Sequence, residues 1–186
     1  NTKLGGTNIN LTGGINAGSK LRIVASINYN KQYSPNYPNI AYGPNSPIYI
    51  LTLWGGADYD INDLRNYWQP GKENVQQYNR EYTIYDNPWM TAYENLRTYD
   101  KDDIYGYVSA NYKWNSHLSL NARSSASTWN RNRTIKIPIS ANLYNYNIGG
   151  SRVGGYQETY DTFWENNTEI SLKYQNRISE DLGFSG

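Results

Sequence analysis

The sequence predicts an all-β protein, an antiparallel up-and-down meander forming part of a large transmembrane β-barrel with long extracellular loops. Three observations lead there. Apolar and polar residues alternate with period two in several separate windows, the pattern of strands with one apolar and one polar face. The connections between these windows alternate between short and long, as in outer-membrane barrels with short periplasmic turns and long external loops. The chain also carries 20 Tyr and 6 Trp in 186 residues against a modest stock of aliphatics. Such amphipathic rings favour a membrane interface over a dry core.

The first strand is expected over about 6–15, where Ile9, Leu11 and Ile15 alternate with Asn8, Asn10 and Thr12. Gly13 and Gly14 suggest a kink or bulge in it. After the turn at 16–20, the second strand spans about 20–33, with Leu21, Ile23, Ala25, Ile27 and Tyr29 opposing Arg22, Ser26, Asn28 and Asn30. A long loop over about 34–100 follows and is expected to hold no clear elements.

The third strand, about 101–114, sets Ile104, Gly106, Val108, Ala110, Tyr112 and Trp114 against Tyr105, Tyr107, Ser109, Asn111 and Lys113. A tight turn at Asn115-Ser116 leads to the fourth, about 117–131, where Leu118, Leu120, Ala122 and Ala126 alternate with Ser119, Asn121, Arg123, Ser125 and Ser127. A second long loop covers about 132–159. The fifth strand, about 160–175, carries Ile170, Leu172 and Tyr174, and the sixth, about 181–186, carries Leu182 and Phe184. Each window approaches the ~9–11 tilted residues that cross a bilayer.

The apolar alternates Ile9/Leu11, Ile23/Ile27, Val108/Ala110 and Leu118/Leu120 are expected to face lipid. Aromatic girdles are expected from Tyr29, Tyr33, Trp129, Phe163 and Trp164 at the long-loop side and from Tyr112, Trp114 and Tyr174 at the short-turn side. A soluble antiparallel sandwich would share the alternation and the hairpins. It would need a second sheet to cover the apolar face, and a long structureless loop fits it poorly. Six open strands would leave two bare edges, so further strands are expected to close the barrel.

Composition narrows the function classes. The formal net charge is +1 and only 18% of residues are charged, so no strong field points to nucleic acid. The absence of Cys removes thiol catalysis and thiolate metal sites. His117 is the only histidine and falls in a tight turn, so it offers no base for a triad. No enzyme activity and no cofactor are expected. The chain begins at Asn1 without an initiator Met or a leader, so it is expected to be a segment of a longer, exported polypeptide.

The most specific stretch runs from Trp54 to Lys113. It contains Trp54-Gly55-Gly56-Ala57-Asp58-Tyr59-Asp60-Ile61-Asn62-Asp63-Leu64-Arg65-Asn66-Tyr67-Trp68, then Pro70-Gly71-Lys72-Glu73-Asn74, Asp86-Asn87-Pro88-Trp89 and Tyr93-Glu94-Asn95. Asp102-Asp103-Ile104-Tyr105-Gly106-Tyr107-Val108 then opens a strand. In order and spacing this resembles the mid-barrel region of SusC/RagA-type TonB-dependent outer-membrane transporters. The resemblance implies a plugged barrel of about twenty-two strands in the bacterial outer membrane. It further implies outer-membrane lipid around the wall, energising through TonB by parts absent from this chain, a SusD-like surface lipoprotein as partner, and uptake of glycans or peptides. The alternatives are a soluble carbohydrate-binding β-sandwich and a small structural outer-membrane barrel.

Trp54, Asp58, Tyr59, Asp60, Asp63, Trp68, Trp89 and Tyr93 are the candidate substrate- or partner-binding residues of the long loop. Flat apolar rings beside hydrogen-bonding edges suit sugars and protein partners, and equally suit a mini-core that packs the loop on itself. Asp58, Asp60 and Asp63 have oxygen-ligand spacing, but the Gly and terminal Glu of a Ca²⁺ loop are missing, which favours an Asx-turn or helix cap and no metal. Asp100, Asp102 and Asp103 are expected to form a solvated rim.

Overall fold

The computed structural model describes residues 3–39, 46–56, 58, 60–80, 85–142, 154–177 and 183–186. Among them lies one six-stranded sheet whose order follows the sequence, so each strand pairs with its chain neighbour in an antiparallel meander. The strands are β1 (Lys3–Ala17), β2 (Leu21–Asn36), β3 (Leu96–Lys113), β4 (Leu118–Ile137), β5 (Gly155–Arg177) and β6 (Gly183–Ser185). The expected Leu182 contribution to β6 lies outside the described residues.

The short connections have local causes. Gly18 sits at φ +68° between β1 and β2, a left-handed position that glycine takes without steric cost. Between β3 and β4, the side-chain oxygen of Asn115 accepts from the backbone N–H of His117 and of Leu118, both at 2.8 Å. This Asx-type turn replaces ladder bonds at the reversal. His117 itself is exposed, and its ring nitrogen meets the Gln175 carbonyl at 3.0 Å. β6 pairs with the end of β5 in the register Gln175↔Ser185, Asn176↔Phe184 and Arg177↔Gly183. Gly13 and Gly14 lie inside the continuous β1.

Two differences from the sequence expectation stand out. Strands β2 to β5 extend well past the alternating windows on the long-loop side. Polar cross-strand pairs hold these extensions, including Thr98 with Thr134 at 2.5 Å and Asn132 with Glu158 at 3.1 Å. Hydrogen-bonded ladders persist there without apolar alternation, so period two gives no signal. The second difference is that the connection between β2 and β3 is not structureless. It contains α1 (Pro47–Tyr49), a π-turn (Ile50–Trp54), a 3₁₀ turn (Ile61–Leu64) and α2 (Pro88–Tyr93).

The described chain divides into two compact units. One comprises Gly6–Lys31, Lys101–Asn130 and Asp161–Gly186, the middles of the long strands and the short-turn ends. The other comprises Asn1–Gly5, Gln32–Asp100 and Arg131–Tyr160.

In β2, β3 and β4 the strand-middle unit shows an exposure pattern inverted from that of a soluble sheet. Ala25, Ile27, Ile104, Val108, Leu120 and Ala126 are exposed, while their alternates Ser26, Asn28, Ser109, Asn111, Asn121, Ser125 and Ser127 are half-buried. On the polar side Arg22, Tyr105, Lys113 and Arg123 are exposed, on the apolar side Leu21, Ile23, Ala110 and Ala122 are half-buried, and β1 and β5 are exposed on both faces. The small polar side chains of these three strands are thus covered more than the aliphatic ones of the same unit. Gly106 permits close approach within it, because a Cβ there would stand 2.5 Å from the Ser26 carbonyl oxygen.

The apolar face ends in an ion pair. The Tyr29 hydroxyl donates to Asp102 at 2.5 Å, and the Lys31 ammonium meets the same carboxylate at 3.0 Å. On the opposite face Lys101 pairs with Asp103 at 3.0 Å and lies 5.1 Å from the centroid of the Trp129 ring. Asp102 and Asp103 are therefore paired groups, not the merely solvated rim expected. Trp129 stacks on Phe163 with centroids 5.7 Å apart. Both alternate with the polar set, whereas Trp164, on the other face, is 72% exposed.

Candidate binding surface of the long insertion

The insertion between β2 and β3 folds around a small, mostly polar core. Among the described residues its buried apolar members are Ile50, Leu64, Pro88 and Met90, joined by buried Gln77, Asp86, Asn87, Thr91 and Asn95. So little aliphatic volume leaves hydrogen bonding to define the structure.

Asn87 is the centre. Its amide nitrogen donates to the carbonyls of Leu64 at 2.9 Å and Tyr78 at 2.7 Å. Its oxygen accepts from the backbone of Trp89 at 2.8 Å and Met90 at 3.3 Å, capping α2. Pro88 follows at the first helical position, where a missing N–H costs nothing. Gln77 links this centre to the β4–β5 connection. Its amide donates to Asp86 and to the Ser140 carbonyl, both at 2.7 Å, and its oxygen accepts from Asn87 N–H at 2.7 Å. Asp86 in turn accepts from the Asn142 backbone at 2.7 Å. The two long connections are thus tied by buried polar contacts within one unit.

Aromatic rings form a ladder on this core. Trp89 and Tyr93, four residues apart on α2, stack with centroids 6.0 Å apart and planes 7° from parallel. Tyr93 continues onto Tyr67 at 6.4 Å, and Tyr67 leans against Trp68 at 5.3 Å. The Arg65 guanidinium lies 5.6 Å from the Trp89 centroid. The indole N–H of Trp89 donates to the Ile61 carbonyl at 2.8 Å, which ties the ladder to the 3₁₀ turn.

The structure brings together only some of the sequence candidates. Trp68, Trp89 and Tyr93 share the ladder, with Tyr93 44% exposed. Asp60 caps the 3₁₀ turn, its carboxylate accepting from the Asn62 backbone at 2.8 Å and the Asn62 amide at 2.9 Å. Asp63 lies in the first turn of that element, favourable for an acid at a helix start. Asp58 is exposed and meets Arg80 at 3.5 Å. Tyr59 and the side chain of Trp54 lie outside the described residues. Sequence reasoning missed Tyr67, Arg65 and Glu94; the Trp89/Tyr93 spacing of four was the available signal for a stacked helix face.

Tyr67 carries the largest electrostatic perturbation of the insertion. Burial, then the Glu94 carboxylate that accepts its hydroxyl proton at 2.8 Å, push its phenol from 10.0 up to about 12. A folded-state value above the unfolded one means the contact contributes fully below pH 10 and is lost as pH rises through about 12. Difference absorbance against Tyr67→Phe is expected to show this phenol titrating near 12 and not at its ordinary 10.0. Glu94→Ala is expected to move it back toward 10; an unmoved value would remove Glu94 as a cause.

No protein-family model matches this sequence, and no curated protein matches it either.

Proposed function

We propose that this chain builds part of the wall and external rim of a bacterial outer-membrane β-barrel importer of the SusC/RagA type, a non-catalytic role in the uptake of glycans or peptides. The inverted exposure of β2, β3 and β4 carries the reading, because aliphatic residues better exposed than their polar neighbours suit an apolar surrounding. The dimensions support it. From Ile104 to Trp114, and again from Trp164 to Tyr174, the outward side spans about ten residues, which at ~3.3 Å each and a ~45° tilt gives about 23 Å, close to the ~25 Å apolar band of such barrels. Aromatic rings stand at both limits of the second span and at the short-turn limit of the first.

In this reading the tied long connections form the outer rim, and their aromatic ladder contacts substrate or a SusD-like lipoprotein. TonB coupling and barrel closure belong to other parts of the protein. Fractionated membranes blotted with an antibody against the 54–95 insertion test the proposal. A heat-modifiable outer-membrane band far larger than this chain is expected. A small heat-modifiable band would instead indicate a structural barrel, and a soluble band would indicate a carbohydrate-binding sandwich.

A further inference from the structure

The polar face of the strand-middle unit becomes strongly basic toward the short turns. Arg22 on β2 and Arg123 on β4 line one hollow of about 370 Å³ together with Asn111, Asn121, Glu169 and Ser171. The next position of the same alternation is Lys20 beside Arg22, Lys113 beside Asn111 and Lys173 beside Ser171. Among the described residues none of these five cations takes part in an ion pair. Glu169 is the acid of the hollow, and it too forms no ion pair there.

Arg123 is held ready. Its guanidinium lies 4.1 Å from the centroid of the Tyr107 ring, a stacking contact that orients the planar fork and leaves its N–H groups uncommitted. Asn111 donates its amide to the side-chain oxygen of Asn121, which leaves the Asn121 NH₂ as a further donor, and the Ser171 hydroxyl lines the same hollow. Several cations on one face repel one another and raise the local concentration of anions.

We infer that this hollow is an oxyanion-binding site, in which the Arg123 and Arg22 guanidinium groups and the Asn121 amide hold a carboxylate or a phosphate. A planar, multi-donor fork matches either group, and Glu169 limits how much negative charge the site accepts. The inference goes beyond the barrel reading and does not depend on it, since every group belongs to one compact unit.

Calorimetric titration of the full chain in detergent at low salt, with citrate and with inorganic phosphate, tests it. Binding of at least one probe is expected, weakening as salt rises. Arg123→Gln is expected to lower affinity about tenfold or more, and Glu169→Gln to raise it, a gain that a misfolded variant would not show. Citrate binding alone assigns the site to carboxylates, and phosphate binding alone to phosphates. Absence of binding by both probes, or affinity unchanged in both Arg22→Gln and Arg123→Gln, overturns the assignment.

Discussion

Asn87→Ala is expected to cost the insertion about 3–4 kcal/mol and to open it locally. The side chain is fully buried and makes four hydrogen bonds, so its removal orphans the carbonyls of Leu64 and Tyr78 and uncaps α2 in one step. Buried groups left without partners lose their solvation with nothing in return. Met90, the buried apolar residue beside it, cannot compensate, because the core offers little other aliphatic surface. Hydrogen exchange is expected to rise over residues 60–95 while β3 and β4 between Lys101 and Asn130 keep their protection, as these belong to the other compact unit. Asn62→Ala, at an exposed position that only meets Asp60, is expected to change stability by less than about 0.5 kcal/mol. Equal exchange in the two variants would mean that the polar knot does not hold the insertion.

Val108→Lys is expected to cost about 2–4 kcal/mol and to block membrane assembly, since it places an ammonium at mid-height of the outward face. Val108 is 54% exposed among Ile27, Ile104 and Gly106, with no acid on that face nearer than Asp102, itself engaged by Tyr29 and Lys31. Leu120→Lys is expected to behave likewise. Ser127→Lys serves as the opposite-face comparison. It points into a polar hollow shared with Glu165 and Asn167 and is expected to be tolerated. Folding yield into lipid vesicles, read as heat-modifiable migration, separates the two faces. Equal yields from Val108→Lys and Ser127→Lys would sink the barrel proposal, because lipid discriminates between faces that water treats alike.

Much of the strand framework was legible in the sequence. Ile104-Tyr105-Gly106-Tyr107-Val108 and Leu118-Ser119-Leu120-Asn121 alternate strictly, and a strand has no other way to sort such residues than onto two faces. The short turns were legible through Asn and Gly, whose side chain or missing Cβ serves the reversal directly. Strand ends were not, because Thr98, Thr134, Asn132 and Glu158 pair across the ladder without apolar contrast. Phe163 and Trp164 are adjacent and so take opposite faces, and it is the stacking of Phe163 on Trp129 that ties Phe163 to the polar side.

By itself the sequence determined the class of the protein, the order of its strands, and the separation of an aliphatic from a polar face, since these follow from local alternation and turn chemistry. It also offered an Asx-turn or helix cap among Asp58, Asp60 and Asp63, and the structure places that cap at Asp60. The tertiary structure decided that the small polar side chains of β2 to β4 are better covered than the aliphatic ones, because cover comes from neighbouring strands and not from any one of them. It likewise decided that Asn87, Gln77 and Asp86 form a buried knot reaching Ser140 and Asn142, since those partners lie about 50 to 60 residues further along the chain. The gathering of Arg22 and Arg123 into one hollow has the same origin, as hydrogen-bonded ladders bring distant segments within ångströms while periodicity records only the distance along each strand.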